Sequence, residues 1–167
     1  MSKVLSVIAS EDFQDKEYED SKDAIEAAGH EVITTSTMNI ATGKFGLEVE
    51  VDILLSDVDV DDFDAILFVG GPGSEEYFDD PTALNLAQDF YNAGKLTTAI
   101  CAAPAILANA GVLDEKNATC WDGVSDILID NGANYTGKSV EIDGLVITAD
   151  GPMSASKFGM AISDNLN

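Results

Sequence analysis

A chain of 167 residues and 17.6 kDa has the size of one domain and buries roughly two-thirds of its unfolded surface, so a core forms without disulfide staples. Hydrophobic residues make up 46%, yet no apolar run approaches the roughly 18 residues of a membrane span. The 31 acidic residues face 8 basic ones, all lysine, and the net charge of −23 repels nucleic acid and anionic membrane surfaces.

Lys3 to Ile8 reads as a first strand; the opening MSKVLSVIAS is too short and too soon acidic for a secretory signal, and a cytoplasmic protein is expected. Phe13 to Ala28 carries Tyr18, Ala24, Ile25 and Ala28 at helical spacing and stops at Gly29. Glu31 to Thr37 is β-type. Met38 to Leu55, with Thr42-Gly43 and Phe45-Gly46, predicts short strands on one edge of the sheet. The aspartates at 57, 59, 61 and 62 could ligate calcium. They lack the glycine and terminal glutamate of an EF-hand loop, so they read as solvated surface and no metal is expected. Such acidity with a normal apolar content suits work at high salt, where screening removes self-repulsion.

Phe63 to Val69 is near-continuously apolar, the pattern of a strand buried on both faces, and ends in Gly70-Gly71-Pro72-Gly73. Pro81 to Ala93 predicts a helix with Gly94 just past its end. Leu96 to Ile100 is the next buried strand, and Ala102 to Ala110 is helical up to Gly111. Ala118 to Trp121 reads as strand and Val124 to Asn131 as helix, closed by Gly132. Lys138 to Ile142 and Leu145 to Ala149 form a hairpin about Asp143-Gly144. A last helix covers about Ala155 to Ile162. Alternating strands and helices imply an α/β sandwich with a mostly parallel sheet, one domain over 1–167. In such sheets sites lie outside the carboxyl ends of the strands. The loops that qualify are Ser10 to Glu17, Gly70 to Ser74 and the stretch at Cys101.

Cys101 stands between a β-type run and Ala102-Ala103-Pro104. A nucleophile on a sharp strand-to-helix turn is exposed at the sheet edge, and the helix N-H groups and dipole favour its thiolate. A small structural cysteine is the competing reading. Gly70-Gly71-Pro72-Gly73 lacks the Lys-Ser/Thr of a phosphate loop and the GxGxxG spacing. It is either a tight turn or a source of backbone N-H for an oxyanion. With no CxxC spacing, Cys101 and Cys120 are expected as free thiols.

Taken together, Phe13-Gln14-Asp15-Lys16-Glu17, Ala28-Gly29-His30-Glu31-Val32, Phe63-Asp64-Ala65 leading into Gly70-Gly71, and Ala99-Ile100-Cys101-Ala102 resemble the ThiJ/PfpI superfamily. The similarity runs to Gly132-Ala133-Asn134 and Asp150-Gly151-Pro152. It implies a flavodoxin-like three-layer sandwich of the class I glutamine amidotransferase type, commonly dimeric, with a nucleophile elbow. By motif, Cys101 matches the reactive cysteine and Glu17 the carboxyl group that hydrogen-bonds its sulfur. Gly71 and Ala102 match the positions whose N-H groups form the oxyanion or sulfinate pocket. A neutral Glu17 beside a thiolate Cys101 is expected, because a protonated carboxyl can donate to the thiolate.

The chain departs from the pattern at the histidines. PfpI-type members carry one directly after the cysteine, where Ala102 stands, and glyoxalase-like members carry one near 118–122, where Trp121 stands. The single histidine, His30, is expected to be structural. Trp121 is either a lid over the pocket or, as favoured here, a core or interface residue. Cys120 is either a resolving thiol or, as favoured, a buried strand residue. Two functions stay open. One is cofactor-independent catalysis on small carbonyl or acyl substrates through Cys101 and Glu17; the other is a redox or stress-response role in which Cys101 forms a sulfinate. Proteolysis fits least. A homodimer is the expected assembly.

Overall fold

Four short apolar runs make the centre of the molecule. The computed structural model describes residues 1–166. Strand β1 (Lys3–Val7) is followed by β2 (Glu11–Phe13), helix α1 (Asp15–Ala27), β3 (Glu31–Ser36), β4 (Ile40–Gly43), β5 (Glu48–Glu50) and β6 (Ile53–Leu54). Then come β7 (Ala65–Phe68), α2 (Pro81–Asn92), β8 (Leu96–Ile100), α3 (Pro104–Asn109), β9 (Asn117–Ala118), α4 (Ser125–Asp130), β10 (Asn134–Tyr135), β11 (Val140–Asp143), β12 (Val146–Ala149) and α5 (Ala155–Asn165). The main sheet has seven strands in the order β11-β12-β8-β7-β1-β3-β6. Its pairs are parallel except β11 with β12. Every residue of β7, β8 and β12 is buried, as strands covered on both faces must be. The buried threonines of β8 turn their hydroxyls to backbone, Thr98 to the Ile66 carbonyl at 2.8 Å and Thr97 to that of Lys95 at 3.1 Å.

The sheet grows from β1 in both directions, towards β3 through α1 and towards β8 through α2. Right-handed crossovers therefore place α1 and α2 on opposite faces. Helix α5 packs on α1, and α3 packs on α2 and α4. This is the α/β sandwich with a mostly parallel sheet expected above, and its strand order reverses at β1. Pairing of Val7 with Phe68, and of Phe68 with Ala99, ends β1, β7 and β8 level. The loops after these three strands thus meet at one edge of the sheet.

Several expected elements shift. The 38–55 excursion is only partly on the main sheet: β6 pairs with β3, whereas β4 and β5 join β2 in a separate three-stranded sheet. Helix α1 starts at Asp15, two residues later than expected, because the Gln14 side chain caps it by accepting from the N-H groups of Lys16 and Glu17. Helix α3 starts at Pro104, since residues 101–103 form the turn. The hairpin turns about Gly144-Leu145, one residue later than expected. There Gly144 takes φ 60°, which suits a turn with glycine first. The expected strand at 118–121 ends at Ala118, so Cys120, though 1% exposed, is not a strand residue. No helix among the described residues is long and apolar enough to cross a membrane.

Candidate active site

Cys101 follows the last residue of β8 and takes φ 64°, a left-handed conformation that a side chain rarely adopts. The turn is held from both sides. The Cys101 N-H donates to the Ala149 carbonyl at 2.9 Å, and the Cys101 carbonyl accepts from the Trp121 N-H at 2.7 Å. This strained elbow leaves the side chain half-buried and facing a cavity of about 440 Å³. The N-H groups of Ala102 and Gly71 are directed at the sulfur.

Glu17 comes from the first turn of α1 and is fully buried. The end of β7 fixes it there. Gly70 donates its N-H to Glu17 Oε1 at 2.9 Å and accepts at its carbonyl from the Gln14 N-H at 3.0 Å. A Cβ on Gly70 would lie 2.7 Å from both Glu17 Oε1 and Cys101 Cβ, so the missing side chain is what lets the carboxyl and the cysteine meet. Gly71 has φ 99°, and a Cβ there would fall 2.5 Å from the Gln14 amide nitrogen. Glycine is required for its N-H to reach the site.

Burial raises the Glu17 pKa from its ordinary 4.5 to about 7, against the opposing hydrogen bonds with Cys101 and Gly70. The expected neutral Glu17 therefore holds on the acid side of neutrality. The expected resting thiolate does not. Burial first, and then the Glu17 carboxylate, push the Cys101 thiol up to about 12, and the N-H groups of Ala102 and Gly71 offset only part of this. Around neutrality the pair therefore loses its first proton from Glu17, while the thiol keeps the second.

The sequence-derived residues Cys101, Glu17, Gly71 and Ala102 are thus gathered at one point. Trp121 joins them as a wall of the cavity, and at 53% exposure it is no core residue, which corrects the core half of the packing role favoured above. Its indole lies over Gly123, where a side chain would clash. His30 lies at the far edge, its Nδ1 accepting from the Ser2 N-H at 3.1 Å near the start of β1. The Cys120 thiol is raised to about 12 by burial and by Asp122. Among the described residues no cluster of three or more His, Cys, Asp or Glu could hold a metal.

Sequence reasoning missed Gln14, Lys44 and Glu75, the polar side chains lining the same cavity, and its apolar wall of Phe78, Val124 and Pro152. Gln14 had a signal, since it sits in the Ser10 to Glu17 loop placed at the carboxyl edge, and Glu75 directly follows the Gly70 to Ser74 loop. Lys44 had none, because its turn reaches the site only through the separate small sheet.

The DJ-1/PfpI family model matches residues 2–165. The chain is 39% identical over 165 residues to an uncharacterised protein of Methanocaldococcus jannaschii, covering 96% of this chain and 80% of that one. It is 32% identical to the deglycase PfpI of Pyrococcus furiosus, with 90% of each covered. The crystal structure of a ThiJ/PfpI domain protein from Brachyspira murdochii matches with a TM-score of 0.95 at 36% identity, over 97% of this chain and 94% of that one.

Proposed function

The chain belongs to the DJ-1/PfpI family, and from that premise we propose that it is a cysteine-dependent enzyme acting on small reactive carbonyl compounds such as 2-oxoaldehydes. The observation that carries this reading is the strained Cys101 elbow, its sulfur beside a buried Glu17 carboxyl and two backbone N-H donors. The deglycase among its relatives agrees in chemical class.

In this scheme the Cys101 thiol passes its proton to the Glu17 carboxylate as the sulfur attacks. The sulfur-carbon bond forms, and the carbonyl π pair moves onto oxygen. The N-H groups of Gly71 and Ala102 hold that oxygen, a contribution of about 10²- to 10³-fold per donor. Glu17 then gives its proton to the oxygen, and as carboxylate removes the proton from the former aldehyde carbon. Returned to the neighbouring carbon, that proton, together with transfer of the hydroxyl proton from the first oxygen to the second, completes the shift to a 2-hydroxy thioester, which water opens to the acid and the thiol. A pKa of about 7 lets one carboxyl serve as both acid and base near neutrality.

One observation favours a second reading, an oxidant-sensing protein in which the same N-H groups hold a Cys101 sulfinate. The chain's one imidazole is at the opposite edge of the sheet, so the cavity lacks the usual proton shuttle. Methylglyoxal turnover by wild type, Cys101→Ser and Glu17→Ala, with intact mass after mild peroxide, separates the two. Turnover lost in both variants is the expected result. No turnover in wild type, with two oxygens added at Cys101, would replace the enzyme by the sensor.

A further inference from the structure

The Cys101 cavity contains one cationic side chain, Lys44, in a chain of net charge −23. Its turn is firmly placed. The buried Asp15 accepts the N-H groups of Phe45 and Leu47, each at 2.9 Å, and the Lys44 N-H donates to the Phe13 carbonyl at 2.9 Å. Asp15 stands two residues before Glu17 on α1, so the turn and the catalytic carboxyl share one support.

The ammonium is left without a carboxylate partner. The ion pairs among the described residues are Lys16 with Asp20, Lys22 with Glu26 and Lys138 with Glu141. Lys44 Nζ instead stands 5.6 Å from the centre of the exposed Phe45 ring. The lysine and the reacting cysteine line one cavity of about 440 Å³, the space a substrate would fill. Glu75, the other exposed charge in the cavity, forms no ion pair with it.

We propose that Lys44 is a specificity-determining residue of the Cys101 site, and that the carbonyl compounds taken there carry a carboxylate within its reach. This rests on Cys101 being the reactive thiol. The ammonium binds the carboxylate while the sulfur adds to the carbonyl carbon; its π pair goes to oxygen, which takes the Glu17 proton. At about 0.15 M salt, screening over about 8 Å hides most of the remote acidic surface. The local lysine then outweighs the net charge.

The test uses two reagents of nearly equal shape, iodoacetate and neutral iodoacetamide, each alkylating Cys101 with loss of iodide. The readout is the ratio of their rates at Cys101, followed by intact mass. An exposed charge pair predicts that Lys44→Gln lowers the iodoacetate-to-iodoacetamide ratio roughly fivefold. Lys44→Arg should restore it, and Glu75→Gln should raise it. Glyoxylate should protect wild-type Cys101 from iodoacetamide better than glyoxal does, and Lys44→Gln should remove that preference. A ratio indifferent to Lys44, or equal protection by the two aldehydes, overturns the assignment. Failure of Cys101 to react with either reagent would instead remove the reactive-thiol reading beneath it.

Discussion

At Glu17 the physics of the site is set by one missing partner. Oε1 accepts from Gly70, whereas Oε2 is buried and receives no N-H or O-H. The group acting on the carboxyl besides Gly70 is the Cys101 thiol. A carboxylate so poorly solvated keeps its proton, which is why its pKa rises to about 7. The consequence for stability has a definite sign. The folded state binds this proton more tightly than the unfolded chain does, so the contribution is fully present below about 4.5 and is lost as pH rises through about 7. A shift of this size corresponds to about 3 kcal/mol at most. Glu17→Gln keeps an oxygen for Gly70 and cannot ionise. The difference in unfolding free energy between the variant and wild type, from denaturant titrations, should therefore grow in the variant's favour from pH 5 to pH 7.5. A flat difference would mean that Glu17 is ionised throughout. Sequence could point to Glu17 only through the motif match at Phe13-Gln14-Asp15-Lys16-Glu17, since a carboxylate on a first helical turn is otherwise ordinary solvated surface. It could not show that Gly70, rather than only Gly71, matters, since which glycine faces the carboxyl depends on how β7 meets α1.

Elements differ in how openly the sequence displays them. Strands β7, β8 and β12 were legible because burial on both faces demands continuous apolar runs. The β2-β4-β5 sheet was not, because strands of three or four residues with mixed exposure carry little periodicity. Its attachment to the site depends on Asp15 reaching a turn about 30 residues away in sequence. The α1-α5 contact was hidden for a related reason. Gly159 lies inside a helix, where glycine ordinarily only weakens it. Here a Cβ would stand 2.7 Å from the Ser21 carbonyl oxygen and 2.8 Å from Ala24 Cβ. Gly159→Ala therefore gains helix propensity but forces the two helices apart, and overpacking of this kind costs about 1–3 kcal/mol. The expected result is a lower denaturation midpoint with an unchanged denaturant slope. A stabilised variant would show that α1 and α5 can separate without cost, and that propensity decides.

Across the whole molecule, the net charge of −23 adds self-repulsion to the conformational entropy that opposes folding. Among the described residues three ion pairs engage lysine, two with Nζ–O distances of 3.7 Å or more, so most of the 31 acidic groups repel one another with little local compensation. Such repulsion favours the expanded chain and extends over about 30 Å at 0.01 M salt but only about 3 Å at 1 M. Raising sodium chloride from 0.01 to 1 M at pH 7.5 should stabilise the fold by at least about 2 kcal/mol, a rise in Tm of roughly 4–8 °C for a domain of this size. Salt also strengthens burial of apolar surface, so the rise alone does not identify its cause. The two effects separate by pH. Screening acts on charge, and near the isoelectric point of about 4.1 little net charge is left to screen, whereas the apolar effect persists. The salt-induced rise should therefore shrink severalfold between pH 7.5 and pH 4.5. An equal rise at both values would assign it to apolar burial, and a flat response at pH 7.5 would mean that the acidic surface is spaced widely enough to cost the fold nothing.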